Sequence, residues 1–244
     1  MQNYKVIIQY DGTDYHGWQV QPNRVTIQGE LTRILSQLDD RPVTVYGAGR
    51  TDAGVHAEGQ VANFWLEHRF SSRELRDAMN GNLRRDIRIL DALALDDAFN
   101  ARTSAKLKNY RYRIWNADVG NPFLSRYVYQ YRKRLDIDEM HEAAAALVGA
   151  HDFSAFTPAQ SDAEDHFRTL QKLDLERDGE IVSITAAASG FLRYMVRTIA
   201  GTLIDVGRGR RSAKSVRLAL ESRMRSNAGP TAPACGLTLM RVDY

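Results

Sequence analysis

The chain has 244 residues, a formal net charge of +3 and a single cysteine, Cys235. This length suffices for one large domain or two small ones, and the lone cysteine excludes an intramolecular disulfide framework and a cysteine-based zinc cluster. No run of about 18 apolar residues occurs, so no segment is expected to span a membrane. Because a strand-like segment follows Met1 almost directly, no signal peptide is expected, and we predict a cytoplasmic protein.

The basic residues are strongly biased towards arginine, which accounts for 27 of the 33. Arginine binds phosphate bidentately and stacks on bases, as a nucleic-acid-binding surface requires. Three arginine clusters are candidate phosphate contacts, at residues 84–88, 132–134 and 208–211. A genome rich in arginine codons explains the bias equally well, and each cluster alone is more typical of a solvated surface.

Hydrophobic periodicity predicts the order β-α-β-β-α-β in the first part of the chain. The strands are expected at residues 4–10, 43–46, 61–66 and 87–95, and the helices after Thr26 and after Ser71 or Ser72. This order is the split unit of a ferredoxin-like domain.

The second part of the chain repeats this order. Strands are expected at residues 108–116, 170–177, 181–188 and 237–244, with a hairpin turn at Asp178-Gly179, and helices at 136–149, 192–207 and from Ser212 onwards. The sequence therefore predicts an α+β fold of two ferredoxin-like halves with mainly antiparallel sheets, at residues 1–100 and 101–244. We expect a catalytic cleft between the halves.

The most informative segment is Gly47-Ala-Gly-Arg-Thr-Asp-Ala-Gly-Val-His56, which places Arg50 and Asp52 in a glycine-bracketed turn. It fails the dinucleotide fingerprint at Asp52 and the Walker pattern at Val55, where lysine is required. A carboxylate held beside a cation can serve as a covalent nucleophile or a general base. An ordinary turn in which Asp52 bonds its own backbone is the alternative.

Further motifs accompany this loop along nearly the whole chain. They are residues 10–22 with 26–31, Phe99-Asn-Ala-Arg102 with Lys108-Asn-Tyr-Arg-Tyr112, Gly149-Ala-His-Asp-Phe153, Phe191-Leu-Arg-Tyr-Met-Val-Arg197 and Pro233-Ala-Cys-Gly-Leu-Thr-Leu239. With residues 47–56, and in this order, they resemble the motifs of the tRNA pseudouridine synthase A family. One departure is Leu83-Arg84, where members often have proline after the leucine, and it affects only a helix-to-strand turn.

The resemblance implies an isomerase that converts uridine to pseudouridine at positions 38, 39 and 40 of the tRNA anticodon stem-loop, with flipping of the target base. It implies that neither a metal nor a cofactor takes part, and that a homodimer grips tRNA with both subunits. The scattered histidines and the lack of an H-E-x-x-H motif agree with an enzyme without a metal site.

The same resemblance assigns four residues. Asp52 is the catalytic aspartate, which either attacks C1′ of the ribose or removes its 2′ proton. Arg197 is the cation that pairs with Asp52, Tyr110 is the catalytic and substrate-binding tyrosine that stacks on the target uracil, and Arg50 is the RNA-binding residue that fills the gap left by the flipped base. Without the resemblance, Tyr110 is typical of a core aromatic, Arg197 of a surface arginine and Arg50 of an ion-pair partner for Asp52.

Two other classes of protein fit part of this pattern. A non-catalytic RNA-binding protein needs cations and aromatic rings, but a carboxylate facing the RNA backbone would weaken its binding. A carboxylate-based nucleoside hydrolase would use Asp52 and Arg197 but would not require stacking by Tyr110.

Overall fold

The computed structural model of the chain describes residues 1–160 and 163–244. Its contacts divide the described residues into two compact units. Unit 1 comprises Met1–Lys106 and Leu239–Tyr244, and unit 2 comprises Leu107–Thr238. The contacts thus place the final residues with unit 1, while the division into domains 1–100 and 101–244 stays a prediction.

Unit 1 has the expected order of elements. They are β1 (Gln2–Tyr10), α1 (Ile27–Leu38), β2 (Tyr46–Gly47), β3 (His56–Leu66), α2 (Ser72–Asn82), β4 (Ile87–Leu95) and most of the last strand, β10 (Leu237–Asp243). The sheet has β1 between β4 and β3, and both β2 and β10 pair with β3. The pairs β1–β3, β1–β4 and β2–β3 are antiparallel, as a ferredoxin-like unit requires.

Polar caps fix where the helices of unit 1 begin. The side chain of Thr26 accepts a hydrogen bond from Gly29 N (3.2 Å), and Ser71 forms a reciprocal capping box with Glu74. Both caps satisfy backbone N–H groups that a helix leaves without partners in its first turn. The buried faces are the predicted ones, with Leu31 inward in α1 and Met79 inward in α2.

The strand expected at residues 43–46 is wrong, because only Tyr46 and Gly47 pair with β3. The preceding backbone bonds to side chains of α1 instead of to a strand. Ser36 Oγ accepts from Val43 N at 3.0 Å, and Gln28 Nε2 donates to Val45 O at 2.9 Å. Val43 and Val45 are nevertheless buried, so the apolar pattern reports their burial and not a sheet.

Several contacts fasten the last residues of the chain to unit 1. Tyr244 donates its hydroxyl to Ala101 O (2.9 Å), and Lys106 N donates to Asp243 O (2.8 Å). A Cβ on Gly59 would lie 2.6 Å from Met240 O, so β10 runs close against the β3 backbone. These contacts complete the unit 1 sheet with residues from the end of the chain.

Unit 2 contains the remaining elements. They are β5 (Leu107–Trp115), β6 (Tyr129–Gln130), α3 (Ile137–Ala145), β7 (Gly149–Asp152), β8 (Phe167–Asp178), β9 (Ile181–Ala188), α4 (Met195–Gly207), α5 (Ala213–Ser222) and the start of β10, with short 3₁₀ turns at Ser154–Phe156, Arg225–Asn227 and Ala234–Gly236. The strand order is β5-β9-β8-β7 with antiparallel neighbours, and β6 is parallel to β5. The α+β class with mainly antiparallel sheets is therefore confirmed.

Several boundaries in unit 2 differ from the prediction, and helix α4 begins at Met195 and not at residue 192. Helix α3 ends at Ala145 and not at Gly149, because Gly149 adopts φ +112° and begins β7, paired with Leu170. In the hairpin, Asp178 still pairs with Ile181, so the turn consists of Gly179 and the residue after it. Gly179 supplies the positive φ, +57°, that such a turn needs.

Candidate active site

The loop of residues 48–55 connects β2 to β3 and carries two of the expected site residues. Backbone groups hold much of it in place. Trp18 N donates to Thr51 O at 3.0 Å, and Gly54 N donates to Tyr15 O at 3.3 Å. The loop is thus bonded to the segment that follows β1, which explains why the first sequence motif and the loop occur together.

Two glycines allow this segment to approach the loop closely. A Cβ at Gly12 would lie 1.9 Å from Val55 O, and one at Gly17 would lie 2.6 Å from Thr51 O. Gly17 also has φ +86°, which side-chain-bearing residues rarely adopt. Gly12 is therefore required for space, and Gly17 for both space and backbone conformation.

Thr51 lies between Arg50 and Asp52 in the sequence, and its side chain points into the protein. Its Oγ1 lies 2.8 Å from the Tyr10 hydroxyl, and both side chains are buried. Burial raises the pKa of Tyr10 to about 12, against the opposing effect of its hydrogen bonds with Thr51 and Gln60. With Thr51 anchored, Arg50 on one side is exposed and Asp52 on the other is half-buried.

A tight turn follows Asp52. Val55 N donates to Asp52 O at 3.1 Å, and Gly54 between them has φ +77°, as in a type II turn. Within residues 1–160 and 163–244, Arg50 makes neither a hydrogen bond nor an ion pair, so its alternative role as a partner for Asp52 is not realised. The loop therefore holds Asp52 at a fixed turn and presents Arg50 to solvent.

Tyr110 lies in the middle of β5, opposite Ala186 of β9. Its side chain is 7% exposed, and its ring meets that of Phe191 in a T-shaped contact with centroids 5.2 Å apart. Edge-to-face packing of this kind restrains a ring without covering both of its faces. Tyr110 follows the predicted alternation, in which Tyr112 is also buried.

Arg197 lies in the first turn of α4 and is half-buried. Its Nε donates to Ala232 O at 2.8 Å, and Ala232 N donates to Arg197 O at 3.0 Å. Its positive charge also opposes the burial that raises the pKa values of Tyr112 and Cys235. These contacts exclude the alternative of a freely solvated surface arginine.

Tyr194 precedes α4 in an unusual conformation, with φ +61° and ψ 0°. A left-handed backbone costs a residue with a side chain about 1–2 kcal/mol. The ring lies under two guanidinium groups, with Arg193 Cζ 4.8 Å and Arg197 Cζ 5.1 Å from its centroid. No sequence signal identifies this residue beyond its place in the motif that contains Arg197.

The structure groups the four expected residues in two places. Arg50 and Asp52 share one loop of unit 1. In unit 2 the segment 191–194 lies against both other residues, since its first residue packs on Tyr110 and its last on Arg197. The assembly of all four into one active site stays a prediction.

Two features are absent from the part of the chain that the structure describes. It contains no group of three or more His, Cys, Asp or Glu side chains arranged to hold a metal ion. None of its helices combines the length and the apolar character needed to cross a membrane.

Comparison with known proteins gives the family. The sequence model of a family described as tRNA pseudouridine synthase matches residues 6–103 and 143–244. The tRNA pseudouridine synthase A of Bacillus sp. (strain KSM-64) is 42% identical over 245 residues, and that of Acetivibrio thermocellus is 44% identical over 244 residues, each alignment covering 100% of both chains. A solved Cbf5-Nop10-Gar1 complex is similar with a TM-score of 0.40 and 12% identity, over 97% of this chain and 48% of that chain. The chain belongs to the tRNA pseudouridine synthase family and is an isomerase.

Proposed function

We propose that this isomerase converts uridine to pseudouridine at positions 38, 39 and 40 of the tRNA anticodon stem-loop. Family membership and full-length relatives named tRNA pseudouridine synthase A support the reaction. The reaction breaks the C–N glycosidic bond, rotates the base and forms a C–C bond, so it needs no redox step. The observation that carries the assignment of residues is the rigid loop that holds Asp52 next to an exposed Arg50.

Asp52 acts on the ribose in this proposal. Its carboxylate either attacks C1′ or removes the 2′ proton, and both steps need an ionised group at a fixed distance from the sugar. The backbone bonds of Thr51 and Gly54 support such a role, because a small displacement of a reacting group lowers the rate strongly.

In this proposal Tyr110 contacts the target base, and Arg197 contacts the carboxylate of Asp52. Tyr110 stacks on the uracil, and its contact with Phe191 supports a fixed ring orientation. Arg197 pairs with Asp52 and favours its ionised form, as a guanidinium within about 4–6 Å does. The bond from Arg197 Nε to Ala232 O supports a fixed direction for this cation.

Arg50 acts on the RNA helix. Flipping a nucleotide out of its stack requires a few kcal/mol, part of which a side chain entering the vacated space can offset. Arg50 is exposed and, in the described chain, has no protein partner to leave, so its side chain can enter the RNA without breaking an internal contact.

The test is release of tritium from tRNA that carries [5-³H]uridine. We expect release by the wild-type protein and a loss of at least about 1,000-fold in Asp52→Asn, as for removal of other catalytic nucleophiles. Asp40→Asn is the matched control, because Asp40 is exposed in the same unit and asparagine also tolerates its φ of +52°.

The alternatives give different products in the same assay. Tight tRNA binding without any tritium release identifies a non-catalytic RNA-binding protein, and free uracil identifies a nucleoside hydrolase. tRNAs that retain a single uridine at position 38, 39 or 40 test the positions. Release from uridines elsewhere, and from none of these three, contradicts the proposed specificity.

We further propose a homodimer that works in the cytoplasm and grips tRNA with both subunits. The resemblance of the motifs supports this assembly, and the substrate supports the compartment. Sedimentation of the protein with and without tRNA measures the assembly. A monomer that stays monomeric on tRNA at working concentration contradicts it.

A further inference from the structure

The ring of Tyr194 contacts two arginines that differ in exposure. Arg193 is exposed, whereas Arg197 is half-buried and belongs to the proposed active site. Cations are attracted to the face of an aromatic ring, and more strongly where water is excluded. The contact with Arg197 is therefore expected to be the stronger of the two.

The backbone of Tyr194 is fixed in the left-handed region by its neighbours. Thr157 donates its hydroxyl to Arg193 O at 3.0 Å, and Thr198 N donates to Tyr194 O at 2.8 Å. Both bonds hold the peptide groups on either side of the Tyr194 Cα. Strain that the surroundings maintain in this way is concentrated at functional sites.

We propose that Tyr194 is a positioning residue for Arg197. The ring lies against the guanidinium while Ala232 O accepts from Nε, so two contacts in different directions restrict this long side chain. The proposal rests on the role proposed above for Arg197.

Substitutions at Tyr194 separate the ring from the backbone. Tyr194→Asn removes the ring but tolerates a positive φ, so it is expected to fold. Tyr194→Phe keeps the ring and removes only the hydroxyl that accepts from Arg193 Nη2 at 3.1 Å. Arg193→Ala removes the other cation that contacts the same ring and is the matched control.

We expect kcat for tritium release to fall about 10-fold in Tyr194→Asn, the loss of a partly buried cation–ring contact, with KM for tRNA within about twofold. Tyr194→Phe and Arg193→Ala are expected to keep kcat. A wild-type kcat in Tyr194→Asn overturns the proposal. So does an equal fall of kcat in Tyr194→Phe, because that result would implicate the hydroxyl and not the ring.

A second measurement does not depend on activity. The ¹⁵N relaxation of the Arg197 Nε–H group reports whether the guanidinium is restrained, and we expect a restrained signal in the wild type and in Tyr194→Phe. In Tyr194→Asn the signal is expected to become mobile. An unchanged Nε–H signal in that variant overturns the positioning role even if the wild type proves inactive, whereas inactivity alone counts only against the proposed function.

Discussion

In unit 1, the loop of residues 48–55 is held mainly by backbone hydrogen bonds and by glycines that let another segment approach. In unit 2, the start of α4 is held mainly by side chains, namely the ring of Tyr194, the ring of Phe191 and the guanidinium of Arg197. Both arrangements immobilise a proposed site residue. They differ in which substitutions they tolerate.

A loop held by backbone hydrogen bonds is expected to tolerate many side-chain substitutions on its surface. It is expected to be destabilised when a Cβ is added where another backbone segment lies close to it. The start of α4 has room for a Cβ at Gly190, the glycine just before it, but depends on each ring and cation. The two regions thus predict opposite patterns of sensitivity, which substitutions in each can test.

The largest effect is expected for Gly17→Ala. The added Cβ meets Thr51 O at 2.6 Å and the backbone has φ +86°, so we expect a loss of about 3 kcal/mol of unfolding free energy. Gly190→Ala is the control in unit 2, because its Cβ would find its nearest neighbour, Arg168 Nε, at 3.9 Å. Urea unfolding measures both, and equal losses would contradict the comparison.

Thr202→Val tests a further support of Arg197. The Thr202 hydroxyl donates to Thr198 O at 2.7 Å and accepts from Gly229 N at 2.8 Å, and the segment after Gly229 leads to Ala232. Removing the hydroxyl leaves a buried N–H without its acceptor, so we expect a loss of about 2 kcal/mol in urea unfolding. We also expect a lower kcat, and unchanged values of both would show that this segment is held by other contacts.

A fitting control for Thr202→Val is Thr185→Val in β9. Thr185 is half-buried, and its hydroxyl makes no hydrogen bond with the residues the structure describes. Valine suits a strand, so its effect is expected to stay within about 0.5 kcal/mol.

Alkaline pH tests the buried hydrogen bond between Tyr10 and Thr51, which anchors the loop of residues 48–55. The pKa of Tyr10 is raised to about 12, so above pH 10 the unfolded chain loses this proton before the folded chain does. Stability from Tyr10 is complete below pH 10 and is lost as the pH rises towards 12. Between pH 9 and pH 11 we expect the unfolding free energy of Tyr10→Phe to fall by about 1 kcal/mol less than that of the wild type. Identical losses would show that Tyr10 ionises normally in the fold.

The smallest effect is expected at a glycine of unit 1 that no other segment approaches closely. Gly81 lies in α2 with nothing within 4 Å of its added Cβ. Gly81→Ala is therefore expected to raise the unfolding free energy by about 0.5–1 kcal/mol, because alanine favours a helix. A decrease in thermal or urea stability would contradict this.

The sequence predicted features that depend on neighbours along the chain. Thr26 and Ser71 mark helix starts because capping is local, and the alternation around Tyr110 reports one buried face of β5. The false strand before β2 arose because its hydrogen-bond partners are side chains of α1, which periodicity does not reveal.

The site was predictable to a similar extent. The loop containing Asp52 was identified by its glycines and its resemblance, but its support by Gly12 and Gly17 is a contact between distant segments. The left-handed backbone of Tyr194 has no signature in the sequence, since it is enforced by Thr157 and the turn of α4.

The return of β10 to unit 1 has a consequence for biosynthesis. On the ribosome, residues 1–106 emerge first, but the strand beside β3 is supplied only when residues 239–244 have been made. Until then the nascent unit has part of a sheet edge without its partner, a state prone to pairing with other chains. The loop of residues 48–55 therefore belongs to a unit whose sheet is incomplete until residues 239–244 have been made. Unit 1 can be completed only when strand β10 has been translated.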